Sequence, residues 1–457
     1  MTGRYDTGLN SSRRPSPSRR SMPHASTLVL GAGMTGLAAA SVCDAVVLER
    51  EPRPGGICTS YYVRTETPGR LPDAPADGEA YRFEIGGGHW IFGGAPHVLA
   101  MIDALAPLER HARRSSVYFR SQDRYAGFPI QHNLRDLGEA TAAKALAEIV
   151  SAQPGNPRTM AEWLERSFGP TLCSAFFAPF QAAYTAGLWT RIAPQDGYKT
   201  PVSIAEVERG ARGLSTPAGY NVTFAYPRGG LDAVARSLAA RCDVRYGTEV
   251  LAIDASARTV ALADGTTWSY DRLLSTLPLD RTLAMSKLDR GEHPDPSTGV
   301  MVLNLGARRG PACPNDHWIY LPESEAGMHR VGCYDNVADH FLPSSRRGMG
   351  THVALYVERA FAGPRPPMSE QRRYVAAAIE ELSRWGWIAN VEASDLTVVD
   401  CAYTWSWPGS RWRERAIDAL EKAGVQPIGR YGRWRFQGIA ESIGEGLAAG
   451  TAVRESR

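Results

Sequence analysis

Cysteine is scarce in this chain. Its 457 residues hold seven, at positions 43, 58, 173, 242, 313, 333 and 401, an odd number without a CxxC pair. That spacing argues against structural zinc or a disulfide framework, and it fits a reducing cytoplasm. Charge of one sign is also missing from the body. The formal net charge is +3, but residues 1–20 carry Arg4, Arg13, Arg14, Arg19 and Arg20 against Asp6, a local +4 that leaves the remainder near −1. A near-neutral body excludes nucleic acid as the main partner. A long unbroken apolar run is absent too. The best candidate, 26–48, is interrupted by glycines, polar residues and Asp44, so no membrane span is expected.

The Ser-, Arg- and Pro-rich tail, residues 1–26, reads as disordered. Its Arg13-Arg14 and Arg19-Arg20 pairs ahead of an apolar stretch mimic a twin-arginine export signal. Cleavage beyond that stretch would remove the strand and helix on which the chain is organised, so export is not expected. The length suits two or three packed domains with core enough to enclose a large cofactor.

What is present begins at Thr27. Residues 27–30 form a short apolar, β-branched run without alternation, the pattern of a buried parallel strand. Gly31, Gly33 and Gly36 follow at GxGxxG spacing and open an Ala-rich helix from Leu37 to about Val42. A second apolar run, 45–48, ends on Glu49 and Arg50. This order is what a βαβ dinucleotide site requires: a tight turn, backbone close to a pyrophosphate, close helix packing, and an acid for the ribose hydroxyls. Downstream, Arg53, Gly55 and Gly56 complete E-x3-R-x-GG. Gly55-Gly56 is either a surface turn or a second backbone loop over the same phosphates. The whole segment resembles two-domain FAD enzymes of the amine oxidase and protoporphyrinogen oxidase type, and FAD is the expected cofactor.

After a loop at 64–80 and a strand at 81–85 come Gly86, Gly87, Gly88, His89 and Trp90. Read alone, this is either a glycine hairpin with a packed histidine or bare backbone against a flat ring. GGHWIFGG, and then VYFRSQDRYAGFPIQHNL at 117–134, resemble the UDP-galactopyranose mutases, especially the eukaryotic type. The resemblance implies that the glycines lie on the isoalloxazine ring with His89 beside its N5 edge, that Phe128 stacks on the uracil, and that Gln131 contacts the nucleotide. Taken alone, Phe128-Pro129 reads more readily as core.

The same resemblance continues in order to about residue 450. Residues 135–215 show helical periodicity, with runs at 137–150, 160–168 and 172–183. There Pro179-Phe180-Gln181 resembles the family's Pro-Tyr-Asn, which places Gln181 near the sugar; Ala183 stands where the family has lysine. Lys199 is the nearest basic candidate for a diphosphate contact. Asn221, in NVTFAYP, corresponds to a residue that faces the nucleotide. Gly230-Leu231 starts a helix, and 244–277 alternates as a small antiparallel meander in which the Val250 backbone would touch adenine. Strands are expected at 299–305, 318–321, 328–334 and 353–358. Tyr320 and Arg330 match a Tyr and Arg that grip the diphosphate, with Arg suited to phosphate oxygens as a planar fork. A helix is expected at 369–385. Finally Gly429, Arg430 and the helix opened by Ile439 resemble a turn that closes over the ribityl chain and pyrophosphate, with Phe436 replacing a substrate-binding tyrosine.

These readings predict an α/β protein: a Rossmann-type FAD-binding domain with a helical insertion and an antiparallel β-sheet substrate domain. The expected divisions are a tail (1–26), FAD-binding parts at 27–134, 223–296 and 396–457, a helical insertion at 135–222 and the sheet domain at 297–395. The resemblance implies a flavin-dependent nucleotide-sugar mutase, interconverting pyranose and furanose forms of an NDP-hexose through an adduct at N5 of reduced FAD, with NAD(P)H a candidate external reductant. His89, Arg330 and Tyr320 are the expected catalytic residues, and no side-chain general base is required. The substitutions on the substrate side suggest a substrate other than UDP-galactose. The alternatives are an FAD oxidase or dehydrogenase acting on an amine or porphyrinogen-like ring, and a flavin-binding protein without turnover.

Overall fold

The computed structural model describes residues 22–65, 69–153, 155–195, 197, 200, 202–217, 219, 221–289, 291 and 293–456. The tail expected at 1–26 therefore lies outside the described residues up to position 21. Strand β1 (His24–Leu30) is followed by α1 (Met34–Ala40) and β2 (Val46–Leu48). The helix starts three residues before the expected Leu37, because Gly33 already adopts the extended N-cap conformation and Met34 faces the core. Next come β3 (Ser60–Val63), β4 (Tyr81–Glu84), α2 (Pro96–Leu105), β5 (Leu108–Ala112), β6 (Ser115–Phe119) and β7 (Arg124–Gly127).

A helical stretch follows: α3 (Glu139–Val150), α4 (Met160–Leu172), α5 (Ala178–Tyr184) and α6 (Ile204–Ala211). Helices α4 and α5 are joined by a wide turn at Cys173–Phe177. The chain then runs through β8 (Thr223–Pro227), α7 (Leu231–Ala239), β9 (Asp243–Arg245), β10 (Val250–Asp254), β11 (Thr259–Leu262), β12 (Thr267–Ser275) and α8 (Leu279–Met285). The last third holds β13 (Ser297–Arg309), β14 (Trp318–Tyr320), β15 (Arg330–Cys333), β16 (His352–Ala362), α9 (Met368–Arg384), β17 (Ile388–Thr404), α10 (Trp412–Lys422), β18 (Val425–Pro427), the short α11 (Gly429–Gly432) and α12 (Ile439–Glu455).

Two large sheets organise these elements. In the first, β12, β1, β2 and β9 run parallel, β18 adds to β12, and β10–β11 fold back antiparallel on the β12 edge. The apolar run 28–30 pairs with 46–48 in register and is buried, as expected of a parallel strand covered on both faces. Helix α12 packs on α1 through glycine: a Cβ on Gly446 or Gly450 would stand 2.2 Å from the carbonyl oxygen of Thr35 or Ala39. The second sheet has the order β17-β13-β16-β15-β14-β6-β7. Strand β17 runs unbroken across residue 395, where the sequence suggests a domain edge.

A buried charge network ties the β3–β4 pair to β8 and α7. Arg82, 3% exposed, donates to Ser60 and to Asp232 at the start of α7, and stands 3.3 Å from Glu84, which also accepts from Tyr226. Gly230 makes room for it, since its absent Cβ would meet the guanidinium at 1.1 Å. Among the described residues no helix is long and apolar enough to cross a membrane.

Candidate active site

The first groove lies at the ends of β1 and β2. Gly31 takes φ +96, a conformation that favours glycine, and Gly36 allows α1 to pack, since its Cβ would fall 2.1 Å from Gly31 O. Gly33 differs. Nothing lies within 4 Å of where its Cβ would be, so its face opens onto space. The Gly55 N–H donates to Ala32 O at 2.8 Å, which brings the second glycine loop beside the first, with Gly55 at φ +110 and Gly56 at φ +58.

Glu49 sits at the tip of β2 with its carboxylate already anchored. Oε2 accepts the Ala32 N–H at 2.7 Å and Oε1 the Glu51 N–H at 2.8 Å. Burial pushes this carboxyl above its ordinary range, against those two bonds. Arg50 is turned to solvent and pairs with Glu51 at 3.0 Å. Arg53 has a structural role: its Nη1 donates to Ser60 O at 2.8 Å and Pro72 O at 3.0 Å. Val250 opens β10, just beyond Thr248, whose N–H donates to Glu49 O at 2.7 Å.

On the far side, Gly429 takes φ +78 against Thr35, and its N–H donates to Glu445 at 3.0 Å. Arg430 is held by Ala402 O at 2.8 Å and Gln437 O at 3.3 Å, with Phe436 stacked on its guanidinium. Ile439 heads α12, where Gly438 N–H is capped by Glu441.

A cavity begins where this groove ends, and Gly88, His89, Arg430 and Ile439 are among its walls. The tight glycines here face protein as well as space. A Cβ on Gly88 would meet Tyr356 at 2.1 Å, and one on Gly87 would meet Glu358 Oε1 at 2.8 Å. Burial drives the His89 imidazole down to about 4, so it is neutral at pH 7, and its Nδ1 has no partner. The opposite wall is aromatic. Phe128 packs on Tyr320 with ring centroids 4.5 Å apart, and Phe180 meets Tyr320 edge-on at 5.3 Å.

Arg330 does not present a free fork. It stands directly across from Glu358 in the β15–β16 register, donating Nε to Oε2 at 2.8 Å and Nη2 to Oε1 at 2.9 Å. One bidentate edge is thus taken by a carboxylate that is 2% exposed, and Glu358 is held below the usual carboxylate range by that partner despite burial. Arg330, Glu358 and Arg430 are the charged groups among the described cavity walls.

Several buried polar atoms facing this cavity have no hydrogen-bond partner: His89 Nδ1, Trp90 Nε1, Gln181 Oε1, His329 Nδ1, Tyr431 Oη and Gln437 Oε1. Buried polar groups are normally satisfied, so such a concentration fits a site whose missing partners come from a bound group. Together with the open face at Gly33 and the anchored Glu49, it fits FAD. Gly31, Gly33, Gly55, Gly56 and Glu49 would hold the dinucleotide, and Gly87, Gly88 and His89 would border the ring.

Of the remaining expected site residues, Gln181 and Phe436 line the cavity. Asn221 lines it too, with Arg113 donating to its Oδ1 and to Phe128 O. Gln131 is not among the walls, contrary to expectation. It sits in the turn Ile130–His132, which is clamped under α6 so closely that a Cβ on Gly210 would meet His132 O at 2.2 Å. Lys199 lies outside the described residues. Sequence reading missed Glu358, His329 and Arg113. The available signal was a lone carboxylate inside the apolar strand HVALYVERAFA, which burial would require to be paired.

A profile of the flavin containing amine oxidoreductases matches residues 34–296. Among solved structures, a reduced UDP-galactopyranose mutase superposes with TM-score 0.82 at 22% identity, covering 95% of this chain and 96% of that one. A putative protoporphyrinogen oxidase from Exiguobacterium superposes at 0.68 with 14% identity, over 96% and 100% of the two chains. Putrescine oxidase bound to putrescine gives 0.58 at 14% identity, over 94% and 99%. At these identities the likeness is one of fold.

Proposed function

The chain belongs to the flavin containing amine oxidoreductases, and from that premise we propose that it is an FAD-dependent mutase interconverting the ring forms of a nucleotide sugar. The observation that carries this reading is the set of unpartnered polar atoms on the substrate side. Gln181 Oε1 and the His329 ring nitrogens open into a cavity whose other wall is aromatic. A hydroxyl-rich sugar supplies partners for these atoms, whereas an apolar ring would leave each unsatisfied at a cost of about 1–3 kcal/mol. The paired faces of Phe128 and Tyr320 offer a platform for a base, worth about 1–3 kcal/mol by stacking.

The flavin, when bound, supplies a nucleophilic and redox-active ring edge. The chain's own residues do the rest. Arg330 keeps its outer Nη edge for a phosphate oxygen while Glu358 fixes the other edge. Tyr320, whose hydroxyl accepts from Trp318 Nε1 at 3.1 Å, can donate its proton to the same group. Neutral His89 would border the ring without placing a full charge there. The reduced form would be the active one, with NAD(P)H the candidate reductant, and the scattered thiols suit a reducing cytoplasm.

One observation favours a second reading, an oxidase or dehydrogenase. Glu358 neutralises Arg330, which lowers the attraction for a diphosphate. Anaerobic reduction of the FAD-loaded protein followed by a panel of NDP-hexoses separates the two. Isomer interconversion that needs reduced flavin supports the mutase; oxygen-linked turnover of amines or porphyrinogens, without it, overturns the mutase.

A further inference from the structure

His329 immediately precedes β15 and is 1% exposed, yet it lines the cavity. Its Nδ1 has no partner. Nε2 stands 3.2 Å from Glu358 Oε2, outside hydrogen-bond geometry. The backbone reinforces the pairing, since His329 N–H donates to Glu358 O at 2.9 Å. The groups facing the imidazole are Glu358 from β16, Arg330 beside it on its own strand, and Tyr184 from α5 at 5.4 Å between ring centroids, itself backed by Tyr403 of β17 at 4.7 Å. Buried histidines normally satisfy at least one nitrogen, and of the two described histidines that leave both unpartnered, His132 and His329, only His329 lines the cavity. One that leaves both open within a cavity, beside a fixed carboxylate, has the arrangement of a base steered by an acid.

We propose that His329 is the proton carrier of the site: it takes the proton of the sugar hydroxyl that closes on the anomeric carbon, and returns a proton to the ring oxygen released when the sugar ring opens. Opening comes first: the neutral imidazole would take the proton shed by the attacking nitrogen of the reduced flavin as that nitrogen bonds to C1, and it hands this proton to the ring oxygen as the C1–O bond breaks with its electron pair on oxygen and the nitrogen's lone pair makes up a second bond to C1. In closure the O–C1 bond forms as the O–H bond breaks, the proton goes to an imidazole nitrogen, and the electron pair displaced at C1 would return to the nitrogen that holds the sugar. No net proton or electron is consumed. Glu358 acts as a positioning residue, its carboxylate stabilising the transient imidazolium. Burial holds the imidazole below its ordinary range, so it is neutral and able to accept at pH 7. This inference rests on the mutase reading and replaces the expectation that no side-chain base is needed.

The test uses the FAD-loaded, anaerobically reduced full chain with whichever NDP-hexose it interconverts. His329→Gln should lower kcat by about a hundredfold or more, remove the acid limb of the pH profile, and leave UDP affinity and FAD absorbance at parental values. Glu358→Gln should shift that limb to lower pH, because the carboxylate that favours the imidazolium is gone. Independently of turnover, the His329 resonances in a 15N-histidine spectrum, identified as the set lost in His329→Gln, should titrate at lower pH in the Glu358→Gln background. Parental kcat in His329→Gln, or a titration indifferent to Glu358, would overturn the proposal while leaving the mutase intact. A parent protein that binds FAD but interconverts no NDP-hexose sinks the mutase reading, and this one with it. If His329→Gln does not fold, the pH profile of Glu358→Gln against the parent decides.

Discussion

Two glycines three residues apart separate folding from cofactor binding. At Gly36 an added methyl would land 2.1 Å from the Gly31 carbonyl, so Gly36→Ala should destabilise the protein by about 1–3 kcal/mol, read as a lower urea midpoint with or without FAD. At Gly33 the same space is empty. Gly33→Val should therefore leave the apoprotein's melting temperature near parental and weaken FAD binding by about 1–3 kcal/mol, the overpacking cost falling on the complex alone. A Gly33→Val protein that binds FAD as the parent does would remove the groove from the cofactor site. Arg330 calls for a different design. Arg330→Ala strands Glu358 as a buried charge and should cost about 3–5 kcal/mol of stability, which would obscure any loss of ligand binding. Arg330→Met with Glu358→Leu should restore most of that stability while abolishing UDP binding, as followed by titration of the folded double variant. Full UDP affinity in that double variant would exclude Arg330 from the phosphate site.

At the scale of elements, the helical stretch carries its own signals. Thr159 caps α4, its hydroxyl accepting the Glu162 N–H at 3.2 Å while the Glu162 carboxylate reaches back to Arg158 N–H at 2.7 Å. Thr159→Ala should cost about 1 kcal/mol in chemical denaturation, and because α4 places Met160 and Trp163 on the cavity wall, ligand affinity should fall with it. Unchanged stability would mean that tertiary packing alone sets the start of the helix. The β1–α1–β2 unit was legible in the sequence because glycine spacing, apolar runs and the terminal acid all lie within about twenty-five residues and point one way. Strand β17 was not. Its seventeen residues are mostly half-buried, without clean alternation, because the strand shifts register against β13 at three places. Nor could local pattern show that β1 pairs in parallel with β12, roughly 240 residues away, since such pairing is decided by the sheet as a whole. The Arg330–Glu358 pair is hidden for the same reason: each residue reads as an ordinary strand charge until the β15–β16 register sets them face to face.

For the whole molecule, the distribution of buried titratable groups fixes how stability responds to acid. Burial drives His89 down to about 4, and His317 and His340 to about 3. In the unfolded chain each imidazole takes up its proton near pH 6.5, so between that point and the folded values the unfolded state binds more protons. Stability must then rise with pH across this window and fall as pH drops through it. Glu358 adds a lower limb: held below its ordinary range in the fold, it stabilises above about pH 4.5 and loses that contribution as pH falls further. Glu49 and Glu84, raised by burial, oppose this trend near their own titration. His340 offers a clean test, because its ring stacks on Phe341 at 5.1 Å and its Nε2 has no partner to lose. With FAD saturating, His340→Phe should flatten the slope of unfolding free energy against pH between about 4 and 6.5 by up to about 1.4 kcal/mol per pH unit, the value of one proton. The parental slope persisting in His340→Phe would show that the imidazole is already charged in the folded protein. That outcome would place a counter-charge beside it, and would weaken the same argument for the neutrality of His89 in the cavity wall.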